Sequence, residues 1–211
     1  MNIFDPDNKL IQTMQSIGGL IILNFCYLLC CLPVITFGAA TAALYTVTLQ
    51  EARDHSGSYL GRFFKAFKSN FGKATIIWAI LLVVGAMLVY VYFFFTANPD
   101  LTNPIFNGML IALCIVYVLV ITYVFPLQAR YENTVFRTLR NSLAFAIGNL
   151  PRTLVMGVLN VLPLAVLAYD EKLFWQFSIF LVMIYFAGIA FLNSKMLMKI
   201  FTKAEARAEN G

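Results

Sequence analysis

Side chains that commonly carry out chemistry are few in this sequence. The one histidine, His55, lies in a polar stretch, and the cysteines Cys26, Cys30, Cys31 and Cys114 lie in apolar stretches. The adjacent pair Cys30 and Cys31 could bind a soft metal, but a metal site needs further ligands that the sequence does not place beside them. Packing as small apolar residues is the favoured interpretation, because a disulfide framework is not expected inside a membrane. The sequence predicts no metal and no other cofactor.

Catalytic arrangements are also missing from the sequence. It contains no serine, histidine and acid constellation, no usable pair of carboxylates and no glycine-rich phosphate loop, so we predict that the protein is not an enzyme and does not hydrolyse ATP by itself. The apolar stretches contain no Asp, Glu, Lys, Arg or His, which argues against an autonomous proton-driven pump.

Amides are the remaining polar groups in or beside the apolar stretches. Buried amides usually tie membrane helices together, each contributing roughly 0.6 to 2 kcal/mol, and contact with a substrate is the alternative. These residues are Asn24, Asn107, Asn160, Gln176 and Asn193.

Five apolar stretches determine where all these groups must lie. They cover residues 17–37, 74–95, 105–127, 153–169 and 173–192, and each is long enough for a helix to cross the hydrocarbon core. The composition, 61% hydrophobic and 12% charged, suits a membrane protein. We predict an all-α bundle of about five transmembrane helices in a single domain, residues 1–211. A sixth membrane segment results if residues 38–50 form a short helix of their own.

Basic residues predict the orientation of this bundle. Of the 15 Lys and Arg, 13 lie in the two long loops and the carboxyl-terminal segment, and such residues are retained on the cytoplasmic side. The five-span prediction then puts the amino terminus outside, and an extra segment at 38–50 would move it to the cytoplasm. The net charge of +5 and the pI of about 9.1 reflect this topology and an attraction to anionic lipid. No nucleic-acid partner is predicted.

Two amphipathic helices are predicted in the long loops. In each, apolar residues recur at helical spacing while basic residues take other faces, which is typical of a helix lying flat at the membrane interface. Each could serve as a lipid anchor or dock on another protein. The first carries Leu60, Phe63, Phe64, Phe67 and Phe71, and the second carries Val135, Phe136, Leu139, Leu143 and Ile147 with Arg137 and Arg140 off the stripe.

A kink is predicted near the inner end of the first span. Pro33 cannot donate a backbone hydrogen bond, and Thr36 or Thr41 could satisfy the carbonyls that it releases. Gly38 and the alanines after it permit close approach of another helix. The motif serves ordinary packing, or alternatively a moving hinge or a ligand contact.

A weak internal echo links the two halves. The tract that begins at Asn70 and Phe71 resembles the tract that begins at Asn149 and contains Pro151, and each leads into a span. Residues 17–95 and 105–169 could therefore be repeats that run in the same direction, as in some transporters. Chance similarity in a biased composition is the alternative.

Several motifs together resemble the YesL family of small bacterial membrane proteins. They are the CCLPVITFGAATAAL tract of residues 30–44, the FFKAFKSNF tract of residues 63–71, the FPLQARY tract with Pro126 and Arg130, and the later Asn149-Leu150-Pro151. The resemblance implies a multi-pass protein of the bacterial cytoplasmic membrane. Members of that family commonly accompany genes for carbohydrate uptake by ABC importers and for glycan breakdown.

The resemblance implies a noncatalytic accessory or regulatory subunit of a carbohydrate ABC importer. Such a subunit would pack against the permease subunits in the lipid bilayer. Its second amphipathic helix could contact the ATPase, as short helices of permeases do. A stand-alone carrier for a small neutral solute and a membrane scaffold that recruits soluble partners are the alternatives. Direct contact with carbohydrate stays open.

Overall fold

The computed structural model describes residues 9–53, 58–98, 100, 103–169 and 171–209, and these are almost entirely helical. A 3₁₀ turn at Val34–Thr36 follows the first helix, and a π-helical turn at Leu181–Tyr185 precedes the last one. The α-helices are α1 (Lys9–Cys31), α2 (Phe37–Arg53), α3 (Tyr59–Ala97), α4 (Pro104–Arg130), α5 (Val135–Gly148), α6 (Leu150–Tyr169), α7 (Glu171–Phe180) and α8 (Phe186–Glu209).

Four of the described helical segments are long and apolar enough to cross a membrane, namely Met14–Cys31, Tyr59–Ala97, Pro104–Arg130 and Phe174–Ala206. A fifth span is formed if Val135–Gly148 and Leu150–Val161, which meet at 104°, are counted as one broken span. No strand occurs in the described part of the chain. The prediction of an all-α, polytopic bundle is confirmed.

The first predicted span, residues 17–37, is confirmed over most of its length by the apolar helical segment Met14–Cys31, but it ends earlier than predicted, and α1 and α2 form a hairpin around the break. Helix α1 ends at Cys31 because extended Pro33 (φ −78°, ψ 121°) cannot continue it. The Thr36 hydroxyl donates to the Cys30 carbonyl (2.5 Å) and the Pro33 carbonyl (2.8 Å), and so satisfies groups left over at the break. The predicted role of Thr36 is thus observed, but at a chain reversal rather than a kink.

Helix α2, which contains residues 38–50, lies at the centre of the bundle. It packs on α3, α4 and α8, and its alanines Ala39, Ala40, Ala42 and Ala43 are fully buried. A Cβ atom on Gly38 would collide with the Ala74 carbonyl oxygen and the Trp78 side chain, so this position requires the small residue that the sequence places there. The segment therefore forms a helix of its own, as the alternative prediction expected, but it is not among the helical segments that are long and apolar enough to cross a membrane.

Because α1 and α2 form a hairpin, α1 begins at the same end of the bundle as α3. Near the start of α1, the Ser16 hydroxyl donates to Glu51 (3.0 Å) at the end of α2, and Glu51 pairs with Arg62 (3.2 Å) at the start of α3. At the same end, Arg130 of α4 pairs with Glu205 of α8 (2.9 Å). We call this end, where α1, α3 and α6 begin and α2, α4 and α8 end, the basic end, and the opposite one the distal end.

The orientation that the sequence predicts, with an external amino terminus and internal basic loops, stays a prediction. Among the described residues, the start of α1 lies at the basic end together with the start of α3, which is the arrangement that the alternative with an extra segment at 38–50 expects. The physical cause is the break at Pro33, which returns the chain to the end where it began.

The first predicted interfacial helix is not a separate helix, because it is the beginning of α3. Phe63 is completely buried and Phe67 half-buried, both packed in the bundle core among side chains of α1 and α2, whereas Phe64 and Phe71 are exposed. Helix α2 supplies the apolar cover that the five-span prediction had assigned to lipid. The second predicted helix does form separately, as α5.

Three of the amides in the apolar stretches tie helices together. Asn24 donates to the Val182 carbonyl (2.7 Å) and accepts from the Ala187 N–H (2.9 Å), which bridges the π-helical turn. Asn193 donates to the Asn160 side chain (2.9 Å). The other two amides, Asn107 and Gln176, are exposed on the surface.

The repeat of residues 17–95 and 105–169 stays a prediction. Helix α1 runs opposite to α4, whereas α2 runs parallel to it. The local likeness is nevertheless present: Asn70 donates to the Ala66 carbonyl and Asn149 to the Phe145 carbonyl, each at 3.0 Å and four residues back. If a repeat exists, α2 and α3 correspond to α4 and α6.

Candidate functional site

A polar cleft opens at the basic end between α2, α3 and α4. Its volume is about 650 Å³, and we call it the basic cleft. It is lined by Thr46 and Gln50 of α2, by Arg62, Lys65, Ala66, Ser69, Asn70 and Lys73 of α3, and by residues 128–132 at and beyond the end of α4.

One face of α3 forms a wall of the basic cleft. Residues 62, 65, 66, 69 and 73 recur at the spacing of a single helical face, and its basic residues are among those that the sequence places off the apolar stripe. Lys65 and Lys73 are exposed on it. Neither lysine forms an ion pair in the described part of the chain.

Beneath this wall, Gln128 connects three helices. Its amide nitrogen donates to the Asn70 side chain of α3 (3.3 Å), and its oxygen accepts from the Thr138 hydroxyl of α5 (3.4 Å). Gln128 is buried, so these bonds satisfy a polar group that would otherwise be costly. Pro126, one half-turn earlier in α4, is buried below the cleft.

Glu51 of α2 has a buried carboxylate that pairs with Arg62 of this α3 face. It is only 2% exposed, and it accepts from Arg62 (3.2 Å) and Ser16 (3.0 Å). The Arg62 guanidinium also lies over the Tyr59 ring, 5.0 Å from its centroid. A buried charge needs such a partner, so this ion pair links α1, α2 and α3.

A second ion pair joins α4 to α8 at the cleft. Arg130 binds both carboxylate oxygens of Glu205 at 2.9 Å, and the Tyr131 hydroxyl donates to the same carboxylate (2.7 Å). Burial, together with the neighbouring Glu205 charge, raises the pKa of Tyr131 to about 12, so this hydroxyl stays a donor at neutral pH. The guanidinium also lies over the Phe201 ring, 5.5 Å from its centroid.

Helix α5 lies beside the basic cleft. Thr134 caps its first turn by accepting from the Arg137 N–H (3.4 Å). Its inner face buries Thr138, Ser142 and Ala146, which are small enough for close contact with α4.

The outer face of α5 mixes apolar and basic side chains. Phe136 is 77% exposed and Ile147 55% exposed, and Arg137 and Arg140 are exposed next to them. The predicted apolar stripe is thus divided, because Val135 and Leu139 pack on the core while Phe136 and Ile147 do not.

The bend between α5 and α6 is held by hydrogen bonds. The Thr153 hydroxyl donates to the Ala146 carbonyl and the Asn149 carbonyl, each at 3.0 Å, and Tyr123 of α4 bonds to the same hydroxyl (3.0 Å). Pro151 stands in the first turn of α6, where a missing N–H costs nothing. Asn149 and Pro151 therefore shape a corner rather than a ligand site.

The residues singled out in the sequence fall into separate places. Asn70 and Arg130 line the basic cleft, Arg137 and Arg140 lie on the outer face of α5, and Pro33, Thr36, Gly38 and Thr41 lie at or near the distal turn of the hairpin. Thr41 donates to the Phe37 carbonyl (2.8 Å) and lies 3.4 Å from the Tyr27 hydroxyl.

Sequence reasoning missed the two carboxylates. Glu51 and Glu205 hold Arg62 and Arg130, yet neither belongs to a recognisable local pattern, and Glu205 lies 75 residues beyond its partner. The signal that could have identified Glu51 was its position within a segment that is otherwise apolar and rich in small residues.

A second cavity, which we call the apolar groove, lies between α4 and α6. Its volume is about 720 Å³, and its lining is almost entirely aliphatic, including Leu110, Ile115, Val158 and Val161. Cys114 also lines it. In the described residues, no group of three or more His, Cys, Asp and Glu could hold a metal ion.

Comparison with known proteins adds one match. Residues 20–92, from the middle of α1 through most of α3, match a family described as a protein of unknown function, DUF624. No curated protein and no solved structure is significantly similar to the chain. The matched family is uncharacterised, so it identifies a related segment without an activity.

Proposed function

We propose that the protein is a noncatalytic accessory or regulatory subunit of a bacterial carbohydrate ABC importer, and that α5 contacts its partner. The outer face of α5 carries this proposal: a rigid helix presents an exposed phenylalanine, Phe136, beside two exposed arginines, Arg137 and Arg140. The resemblance to the YesL family supports the choice of importer.

Rigidity favours docking over simple anchoring. The inner face of α5 is fixed to α4 through Thr138 and Gln128, and its end is fixed to α6 through Thr153. A lipid anchor needs only an amphipathic helix on a flexible tether, whereas a docking element gains affinity when its contact residues are already ordered. Phe136, Arg137 and Arg140 are presented in that ordered state.

The two arginines on the outer face of α5 indicate the kind of partner surface that this helix would contact. Neither Arg137 nor Arg140 has an ion-pair partner in the described part of the chain. Aromatic and arginine side chains are enriched at protein interfaces and dominate their affinity. The partner surface on the permease or its ATPase would therefore be acidic, with an apolar pocket for Phe136.

We also propose that the basic end faces the cytoplasm of a bacterial cell. This end contains the Lys and Arg residues of the two long loops and of the carboxyl-terminal part of α8. Lys9, the first residue of α1, also lies at this end. Retention of basic loops during insertion supports this orientation. An importer's ATPase is bound at the same side, which places α5 within its reach.

The test is a double charge reversal, Arg137→Glu with Arg140→Glu. Membranes containing a tagged full-length chain are solubilised in mild detergent, and co-purifying permease and ATPase subunits are quantified. We expect the double reversal to abolish co-purification while leaving insertion and yield normal, because like charges across an interface cost several kcal/mol. Lys199→Glu with Lys203→Glu, on exposed positions of α8, is the matched control and should retain the partners.

Retention of all importer subunits by the α5 reversal would contradict the proposal and leave lipid anchoring as the role of this face. Equal loss in both double variants would also contradict it, since the effect would then follow total charge rather than α5. Phe136→Ala provides a second test that leaves the charge of the chain unchanged. It should weaken co-purification of the importer subunits if the ring fills a pocket on one of them.

A further inference from the structure

We infer that the basic cleft binds a phosphate-bearing ligand, either the headgroup of an anionic lipid or a soluble phosphate ester. This goes beyond the proposed function, because no step of it requires the partner contact of α5. Three observations support the inference: the cleft contains two lysines without an ion pair in the described residues, it has further hydrogen-bonding side chains, and it lies at the membrane boundary of the bundle.

Charge in the basic cleft is only partly balanced. Of its four basic side chains, Arg62 is paired with Glu51 and Arg130 with Glu205. Lys65 and Lys73 remain as ammonium groups on one wall, two helical turns apart. Glu132 is the single carboxylate among the lining residues, and it opposes an anion at the rim.

Other polar side chains that line the cleft can donate hydrogen bonds to phosphate oxygens. Gln50, Ser69 and Asn70 bring amide and hydroxyl groups to the same cavity, and lysine is a common point-charge partner of phosphate. A neutral sugar could accept hydrogen bonds from the ammonium groups, but it would gain no charge–charge attraction from them, whereas a phosphate gains both. The lysines therefore favour an anion over a neutral polyol.

Depth and size agree with a headgroup or a small phosphate ester. Lys73 directly precedes the apolar part of α3, which begins with buried Ala74 and is followed by exposed Ile76 and Ile80. This boundary is the level at which lipid phosphates lie, and basic pockets between membrane helices on that side bind anionic headgroups. The volume of about 650 Å³ lies within the range of small-molecule sites.

The experiment measures binding to the purified full-length chain. In one arm the protein is reconstituted into phosphatidylcholine nanodiscs with or without phosphatidylglycerol, and lipids retained on the protein are counted by native mass spectrometry. In the other arm glycerol 3-phosphate and inorganic phosphate are titrated in detergent. Each arm uses Lys65→Gln with Lys73→Gln, and Lys68→Gln with Lys203→Gln as the matched control, since Lys68 and Lys203 are exposed but outside the cleft.

We expect the cleft variant to bind about 30-fold more weakly, at about fivefold for each lysine lost near the surface. The control should bind as the native chain does. Glu132→Gln should strengthen binding several-fold, and this opposite sign cannot arise from misfolding. Retention of phosphatidylglycerol alone assigns the ligand to the lipid, and saturable binding of glycerol 3-phosphate or phosphate assigns it to the soluble source.

Two results would overturn the inference. One is that neither probe binds the native chain above the level of phosphatidylcholine. The other is that the control pair loses as much binding as the cleft pair, which would reduce the effect to net charge. This binding experiment uses the purified chain without importer subunits. A negative result would therefore contradict the phosphate site without bearing on the proposed contact of α5.

Discussion

The basic cleft and the apolar groove have nearly equal volumes, about 650 Å³ and about 720 Å³, yet they differ in every other respect. The cleft is lined by charged and amide side chains and is framed by two ion pairs. The groove is lined by aliphatic side chains between α4 and α6. Volume alone therefore says little about ligands, and the chemistry of the lining decides what each cavity can bind.

The two cavities also belong to differently packed halves of the bundle. Buried residues from all three core clusters lie toward the basic end and the middle, where α2 is enclosed. Toward the distal end α3, α4 and α6 expose most of their apolar side chains, as Tyr90, Met109 and Val161 illustrate. We expect acyl chains to cover this half and to fill the groove, so that lipid replaces the protein core there.

The largest expected difference between the two ends is accessibility from outside the cell. In a background without the four native cysteines, single cysteines at Asn2, Ser69 and Asn141 should be protected from an impermeant thiol reagent in intact cells. A cysteine at Asn98, which follows α3 at the distal end, should be labelled. Permeabilised cells, in which all four should react, are the control.

Labelling at Asn2 but not at Ser69 would break the hairpin arrangement of α1 and α2, because both positions must lie on one side if the chain reverses at Pro33. Labelling of Ser69 and Asn141 would instead invert the whole bundle. Asp170, which lies between the predicted spans 153–169 and 173–192, is outside the described residues.

The next effect concerns the ion pair that frames the cleft. Glu51→Ala should lower the free energy of unfolding by about 3 kcal/mol, since it leaves Arg62 without its buried partner. The Arg62 side chain is 19% exposed, which keeps the loss at the low end of the range for buried pairs. Thermal unfolding in detergent measures it, and Glu132→Ala at the exposed rim should change it by no more than about 0.5 kcal/mol.

A double variant sharpens this result. Glu51→Ala with Arg62→Ala should be more stable than Glu51→Ala alone, because the cost comes mainly from removing the carboxylate opposite a largely buried guanidinium. If the double variant is the less stable one, Arg62 contributes chiefly through Tyr59 and the cleft wall, and the pair is not what joins α1, α2 and α3.

Hydropathy was sufficient to predict the helical class, and the helical spacing of apolar residues predicted the separate α5. It failed at the hairpin because residues 38–50 are small and only moderately apolar, so they do not form a full-length apolar stretch. Their burial comes from close packing, which Gly38 and the alanines permit. Without α2 in the prediction, the rings of Phe63 and Phe67 had no protein surface to contact and were assigned to lipid.

The candidate site was visible in the sequence only in part. The basic residues at the start of α3 were predicted to lie off the apolar stripe, since that follows from helical spacing, and Arg130 belonged to a motif of the family resemblance. The cleft itself requires α2 and α4 to meet α3, and the pairing of Arg62 with Glu51 depends on that meeting. Such contacts are tertiary, and one sequence carries no local pattern for them.

The smallest effect is expected in the apolar groove, where a matched pair lies on one helix. Met156 is 1% exposed in the core, whereas Val158 is 55% exposed and lines the groove. Met156→Ala should cost about 2–5 kcal/mol because it leaves a cavity, and Val158→Ala should cost no more than about 0.5 kcal/mol because lipid or detergent can fill the space. Thermal unfolding of both variants tests this. A loss at Val158 as large as that at Met156 would show that the groove is closed by protein, for example by a partner helix, and would remove the distinction between a protein-packed basic half and a lipid-covered distal half.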